Sequence, residues 1–569
     1  MTNRFLVGVA AMVTLIVVFL GFQGRQFSMA AATDGVLPGT GSLSGTVKAP
    51  GPFKAARVYA RNVDKDVLFM VYTSGGAYRA VNLFPGNYEV HVEEKGFISD
   101  AQKVVVSVGA NATLNFSLRL DPSPPDVVSV SYDGLYPPGR GRELAEKTCI
   151  VCHGAGFLPR HHWNVAMWNA AIAQMSIPAA PRILPGVLDA TDRQELSAYL
   201  AQNFGPNSPK RVLDVGAEMP LDEKELSKAM FVEYYLPARA DHGSRLLHDP
   251  HFDQEGDVWY TDRGGDRIGK LDPRTATWKD YEIPDPKAFP HGLTVDADDN
   301  PWWVGNFDLG RFDAKTEKMD IYPIDSVRHE EFHGHTVALD SMKNVWFTNI
   351  LENKLGKWDF ETKKITLWEA PSPNSYPYGL VVDRNDKIWM AEWIRCKFTK
   401  FDPKTEKFTE YSPLNTPCVL KRLRIDSKGM IWYAYGMFRA GKLGKLDPNT
   451  GKMIEYTLPV PFATPYDISP DGEGNIWIGD DSNLNEAGRP GLPQGLMNYD
   501  TALVGFDLGK QKFTYYPSPQ RTAMPKIEVT RDGAIWYCAR DAERQALDVL
   551  YPDVTKMRTM AAYYPLSPK

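Results

Sequence analysis

Cysteine is scarce in this chain, five in 569 residues, so a dense disulfide framework cannot be what holds it together. An excess of one charge is also lacking. The 64 basic residues face 70 acidic ones, the net charge is −6, and no basic block occurs, which removes the electrostatic footprint of a nucleic-acid binder. Long apolar runs are nearly absent. The exception, Phe5 to Gly21, follows Arg4 and precedes Ala30, Ala31 and Ala32, so residues 1–32 read as a secretory signal. Cleavage after Ala30 or Ala32 fits the small-residue rule, yet the run is nearly long enough to stay as an uncleaved anchor, and both outcomes stay open. Either way a periplasmic or exported location is expected. No cysteine near the run offers a lipid attachment point, and no later segment is apolar enough to span a bilayer.

The length exceeds one ordinary core and divides into three units. Residues 42–120 alternate short apolar strands, such as Tyr88-Glu89-Val90-His91-Val92, with glycine and proline turns, the pattern of a small β-sandwich. The stretch from Gly75 to Phe97 and the closing VSVGANATLNFSL resemble the carboxypeptidase regulatory-like domain family. That resemblance implies an accessory spacer or adhesion unit. A linker follows over 121–134, its proline-rich start Asp121-Pro122-Ser123-Pro124-Pro125 favouring an extended chain.

Residues 135–206 contain Cys149, Cys152 and His153 in C-x-x-C-H spacing, the attachment signature of haem c. Two thiols one turn apart can take the two porphyrin vinyl groups while the adjacent imidazole of His153 faces the iron. A zinc or redox C-x-x-C is the rival reading, but no second cysteine pair follows at zinc-site spacing. The flanking text, with Gly141-Arg142 and Leu144 before the motif and Leu196 to Gly205 after it, resembles small c-type cytochromes. The resemblance implies one covalent haem c, and Trp168 to Met175 looks like that family's tryptophan-to-methionine element. Met175 is therefore the expected sixth ligand; Met167 and the pair His161 and His162 are alternatives.

After a linker over 207–227, residues 228–569 repeat themselves. Tryptophans fall at 259, 303, 346, 389, 432, 477 and 536, at intervals of about 43 residues until an insertion stretches the last. Each sits in the same order of four short strands, the signature of a propeller blade, so the expected class is mainly β and multidomain: a β-sandwich, a small α-helical cytochrome c and a seven-bladed β-propeller. Either Phe231–Pro237 or Met560–Pro565 has the pattern of the outer strand that would close the ring. Units such as PHGLTVD at 290–296, LGKLDP at 443–448 and IEYTLP at 454–459 resemble the virginiamycin B (streptogramin) lyase family of propellers. That resemblance implies a histidine and glutamates holding magnesium at one mouth of the channel. Here Pro290-His291-Gly292 is present, but Asn306 stands where a carboxylate is wanted.

Aligning the blades on their tryptophans lists one rim of the channel. The first-strand position reads His248, His291, His335, Tyr378, Lys421, Tyr466 and Pro525; three residues past each tryptophan stand Asp262, Asn306, Asn349, Glu392, Tyr435, Asp480 and Ala539. Three of only 11 histidines thus share one position, and neutral imidazole suits zinc, copper, iron or nickel. A second metal (Cu, Fe, Zn or Mg) held by His248, His291 and His335 is one expectation; histidines that merely hydrogen-bond within a polar channel are the other. His251 and His333 fall off this register. Arg395, Lys421, Arg422, Arg439, Lys526 and Arg540 make the rest of the rim basic and suited to an anionic small molecule. Cys396 and Cys418 map to the same rim and would pair in an oxidising compartment, leaving Cys538 as a buried thiol.

These residues predict a haem-linked oxidoreductase, with His291, Glu392 and Asp480 as catalytic candidates and a soluble cytochrome or other redox protein as electron partner. Two further readings remain: a magnesium-dependent lyase with an accessory cytochrome, and a non-enzymatic platform that docks a separate dehydrogenase.

Overall fold

The computed structural model describes residues 36–121, 128–176, 187–209, 211–239, 243, 245–324, 334–416, 418–436, 439–480, 501–540 and 542–564. Residues 1–32, most of the proline-rich linker, His333 and the side chain of Cys152 lie outside them. Among the described residues no helix is long and apolar enough to cross a membrane.

The chain is mainly β and multidomain. Among the described residues six four-stranded antiparallel sheets follow one another from Leu247 to Pro517, and a seventh set of four is built from both ends of the unit. The innermost strands, Leu247–Phe252, Gly292–Val295, Gly334–Leu339, Pro377–Val382, Val419–Ile425, Pro465–Pro470 and Ile527–Val529, contact one another in sequence, and the last meets the first. The result is a closed β-propeller.

A repeated clamp explains why these segments form blades. In six of them an aspartate accepts the indole N–H of the tryptophan six residues on: Asp253 with Trp259, Asp296 with Trp302, Asp340 with Trp346, Asp383 with Trp389, Asp426 with Trp432 and Asp471 with Trp477, at 2.8–3.2 Å. Asp383 also accepts the amides of Asn385 and Lys387, so one carboxylate shapes the turn and satisfies a buried donor. In the second blade the clamped residue is Trp302, one position before the tryptophan chosen from spacing. Trp303 pairs instead with Leu293 and Gly310.

The ring is closed by Met230–Tyr235, which pairs antiparallel with Ala546–Tyr551. Met560–Tyr564, the other candidate, is not a strand; its backbone bonds Ala562 to Gly256 and Tyr563 to Arg531. The far edge of Met230–Tyr235 pairs with Val67–Tyr72 of the sandwich, so sandwich and last blade share one ten-stranded sheet. Both strands are buried at every position because each has two apolar neighbours. Val67, Phe69 and Val71 enter the core of the sandwich, whereas Leu68, Met70 and Tyr72 pack with Phe231 and Tyr537. The N-terminal unit is therefore fused to the ring rather than set apart from it as a spacer.

The described residues of 132–176 and 187–203 are mainly helical, in segments from Tyr132–Leu135 to Ala190–Asn203. Gly141 lets Arg140–Ala145 cross Ala190–Asn203, since a Cβ there would lie 2.3 Å from that of Tyr199. The unit is clasped by parallel pairing of Val128–Val130 with Arg211–Leu213. It packs on the propeller through Tyr132, whose ring stacks on Phe462 at 5.5 Å and lies under Arg439 at 4.9 Å.

Two stability predictions follow from these contacts. Asp383→Ala orphans the buried Trp389 indole and two turn amides and should lower unfolding free energy by about 2 kcal/mol in urea titrations. The second concerns Glu233 and Asp548, which oppose each other on the closing strands and are 1% and 0% exposed. Tyr235 donates to Glu233 at 2.8 Å, and Tyr537, Gln520 and Arg544 are the other polar neighbours. Burial pushes Glu233 from 4.5 up to about 7, against the hydrogen bonds of Tyr235, Gln520 and Asp548, and raises Asp548 as well, where the Glu233 carboxyl adds to the effect. The native state thus holds protons that the unfolded chain releases, and stability falls as pH rises through this interval. Glu233→Gln should gain stability over the parent protein progressively between pH 4.5 and about 7 in denaturant titrations at stepped pH.

Candidate functional site at the channel mouth

Strand register supports the equivalence of the first-strand rim positions. His251, Thr294, Ala338, Val381, Arg424, Ser469 and Glu528 each face the reference tryptophan of their blade, with Trp302 in the second. Three residues earlier stand His248, His291, His335, Tyr378, Lys421, Tyr466 and Pro525. Six of these side chains, all but that of Pro525, form one run of contacts. His248 and His291 lie 3.6 Å apart between ring centroids, His291 and His335 4.1 Å, and His335 and Tyr378 3.5 Å. The Tyr378 and Tyr466 hydroxyls share a hydrogen bond, and Lys421 Nζ sits 3.8 Å above the Tyr466 ring. Arg540 Nη1 reaches His248 Nε2 at 3.3 Å and completes the circuit.

A second tier of charge lies against this ring. In five blades the inner strand slips register near its start, between Leu247 and Pro250 in the first and Leu420 and Arg422 in the fifth. Such a bulge brings two successive residues to one side. Asp249 consequently joins His248 in the channel, where its carboxylate meets Arg422 at 3.2 Å and Lys526 at 3.6 Å. Arg422 also donates to Thr336 at 3.4 Å. Strict strand alternation gives no hint of Asp249; only the bulge admits it. Gly292 and Gly379 make room in this tier, because a Cβ on either would strike the backbone of the next inner strand, at His335 O (2.4 Å) or Lys421 O (2.7 Å).

Burial, opposed in His248 by the Asp249 carboxylate, holds all three histidines well below the usual imidazole range, so they are neutral at pH 7. Asp249 behaves in the opposite way: although burial raises its pKa, Arg422 and Lys526 outweigh that and keep it ionised. His248 Nδ1 lies 2.7 Å from Asp249 Oδ1, His291 Nδ1 2.9 Å from the His335 carbonyl, and His335 Nδ1 2.8 Å from Thr336 Oγ1.

Glu392, Asp480 and Asp262 are buried at strand ends with local partners. Thr399 donates to Glu392 at 2.5 Å, and burial lifts this carboxyl to about 7. Asp480 accepts the Thr464 amide at 3.0 Å, and Asp262 holds Arg245 at 2.9 Å and the Leu246 amide at 2.8 Å. With Trp302 as the reference, the equivalent residue of the second blade is Gly305 rather than Asn306. Of the basic rim residues, Lys421, Arg422, Lys526 and Arg540 join the channel network. Arg395 instead binds the Pro373 carbonyl at the surface, and Arg439 caps Tyr132. Cys396 and Cys418 form a disulfide across adjacent blades with Cα atoms 5.2 Å apart; Cys538 is buried and free.

The C-x-x-C-H turn sits beside this mouth. A π-helical turn, Glu146–Ile150, leads into Val151–His153, and Ile150, Val151 and Gly154 enclose a small cavity with Lys421 and Thr464. Cys149 is half-buried and unbridged, and burial pushes its thiol up to about 11. His153 stacks on Phe157 at 4.1 Å, followed by His161, Trp163 and Trp168 at 4.1–4.9 Å between successive rings. Met175 ends the helix Val165–Met175 half-buried, Met167 is exposed, and His162 Nδ1 lies 3.3 Å from the Gly205 carbonyl.

Arg422→Leu should destabilise the protein by about 3–5 kcal/mol, because it deprives a buried carboxylate of its closest cation. Combining it with Asp249→Leu should recover most of that loss in the same denaturation assay.

No curated protein matches the chain. Among solved structures, a streptogramin B lyase is 19% identical, covering 57% of this chain and 97% of its own, with a TM-score of 0.48. The virginiamycin B lyase from Staphylococcus aureus is 18% identical over 57% of this chain and 99% of its own, with a TM-score of 0.47. The WD40 β-propeller domain of Doa1 is 11% identical over 55% and 95%, with a TM-score of 0.43. At the level of families, residues 42–119 match the carboxypeptidase regulatory-like domain and residues 227–399 match the virginiamycin B lyase family.

Proposed function

We propose that the chain is an exported haem c oxidoreductase in which an anionic small molecule reacts at the channel mouth and electrons leave through a haem held by residues 149–153. The observation that carries this reading is the seat of the C-x-x-C-H turn against the rim residue Lys421 and the neighbouring Thr464. The donor set fits the group: an unbridged Cys149, a second cysteine one turn on, and His153 at the end of that turn. The rings of Phe157, Trp163 and Trp168 add an apolar wall suited to a porphyrin face. When bound, haem c would supply one-electron transfer, with Cys149 and Cys152 to attach it and His153 and a methionine to hold its iron, a pair that gives a higher potential than two histidines would. Met175 is the second ligand proposed, with Met167 and the pair His161 and His162 as the alternatives. Lys421, Lys526 and Arg540 would orient the anionic group, and a soluble cytochrome or similar redox protein would take the electrons.

A second reading, a lyase-like elimination, draws on the family match over 227–399 and on Glu392, whose buried carboxyl lies at about 7 and so is poised to exchange a proton. The deciding experiment is expression in a host that matures c-type cytochromes, with haem counted per chain by pyridine haemochrome after denaturing electrophoresis. One covalent haem is expected, lost in Cys149→Ala/Cys152→Ala, and Met175→His should lower the midpoint potential. A chain free of haem beside a matured control cytochrome would overturn the oxidoreductase and leave the lyase. A haem-loaded chain that is reduced only in the presence of a separate dehydrogenase would identify a docking platform instead.

A further inference from the structure

We propose that His248 and His291, with His335 beside them and Asp249 as the outer-shell anchor of His248, form a centre for a first-row transition ion of the copper–zinc end of the series, separate from the haem. One ligand atom from each of His248, Asp249 and His291 lies within 4.8 Å of the others, and the three residues are at most 2% exposed. His335 continues the stack at 4.1 Å from His291.

The hydrogen bonds choose the ligand atom. The Asp249 carboxylate and the His335 carbonyl can only accept, so the Nδ1 atoms of His248 and His291 carry the protons and Nε2 keeps its lone pair. This is the outer-shell arrangement that presets a histidine for metal, with one nitrogen anchored to a carboxylate or carbonyl and the other left to ligate. Arg540 contacts His248 Nε2 at 3.3 Å, a long hydrogen bond that an incoming ion would replace.

The donor set also selects the ion. Magnesium and calcium require several oxygen ligands, and this cluster provides one carboxylate, already paired with Arg422 and Lys526. Neutral imidazoles suit copper, zinc, nickel and ferrous iron. Arg422, Lys526 and Arg540 surround the site with positive charge, so a dication here calls for an anionic co-ligand, the same class of molecule that the rim would admit.

The test uses the full chain as purified, incubated separately with Cu(II) and Zn(II), desalted and analysed for metals other than iron. About one retained ion per chain is expected, with copper EPR showing superhyperfine splitting from two or three nitrogens. His248→Ala/His291→Ala should reduce retention at least about tenfold with haem content unchanged. Negligible retention of either metal, a copper spectrum without nitrogen coupling, or equal retention by the double variant would overturn the centre. The nitrogen count in the parent protein decides the matter even if the variant misfolds. Because iron is excluded from the count, a chain without haem leaves this result intact, and a chain without copper or zinc leaves the haem result intact.

Discussion

The pairing of Met230–Tyr235 with the last blade is the contact on which the rest of the molecule depends. A ring of twisted sheets is stable only if the last one is finished by a strand from the other end of the unit; otherwise its outer edge is a row of unpaired amides and carbonyls. Here one strand completes the blade on one edge and binds Val67–Tyr72 of the sandwich on the other. The helical unit lies in the chain between these two partners, so both its ends are tethered beside the ring. The parallel clasp of Val128–Val130 with Arg211–Leu213 gathers those ends, and Tyr132 on Phe462 settles the unit over the blades that carry Lys421 and Thr464. The proximity of the C-x-x-C-H turn to the mouth is thus a consequence of ring closure and chain order together.

The channel is governed by a repeated irregularity. A regular strand would send alternate residues inward and keep Asp249 apart from His248; the bulge shared by five blades brings two tiers into the same space. The outer tier is imidazole and phenol, the next is carboxylate, guanidinium and ammonium. Their proximity sets the protonation of the site: cations keep Asp249 charged, Asp249 anchors His248, and burial keeps the histidines neutral. Asp249 and His291 are held by partners distant in sequence, Arg422 and Lys526 for the one and the His335 carbonyl for the other, whereas His248 and His335 are anchored by the residue next to them.

Much of this was legible from spacing alone. The tryptophan period marked the blades, and counting from it brought His248, His291 and His335 to one level. The adjacent tryptophans at 302 and 303 misled the count by one residue, because spacing cannot tell which indole bonds to Asp296. The rim position past the tryptophan, read as a source of acids and bases, has local work in the structure: Asp262 and Asp480 hold backbone amides of neighbouring loops. Such bonds leave no trace in a repeat, since any carboxylate at a strand end looks the same.

The sequence by itself determined the period of the blades and the C-x-x-C-H turn, both short-range features in which neighbours in the chain are neighbours in space. Tertiary structure alone decided which terminal segment closes the ring, that the sandwich continues the last blade's sheet, and that Asp249 faces Arg422 across the channel. The physical reason is common to all three. Each is a pairing between segments far apart in the chain, selected by which open edge or buried charge remains unsatisfied once the local elements have formed.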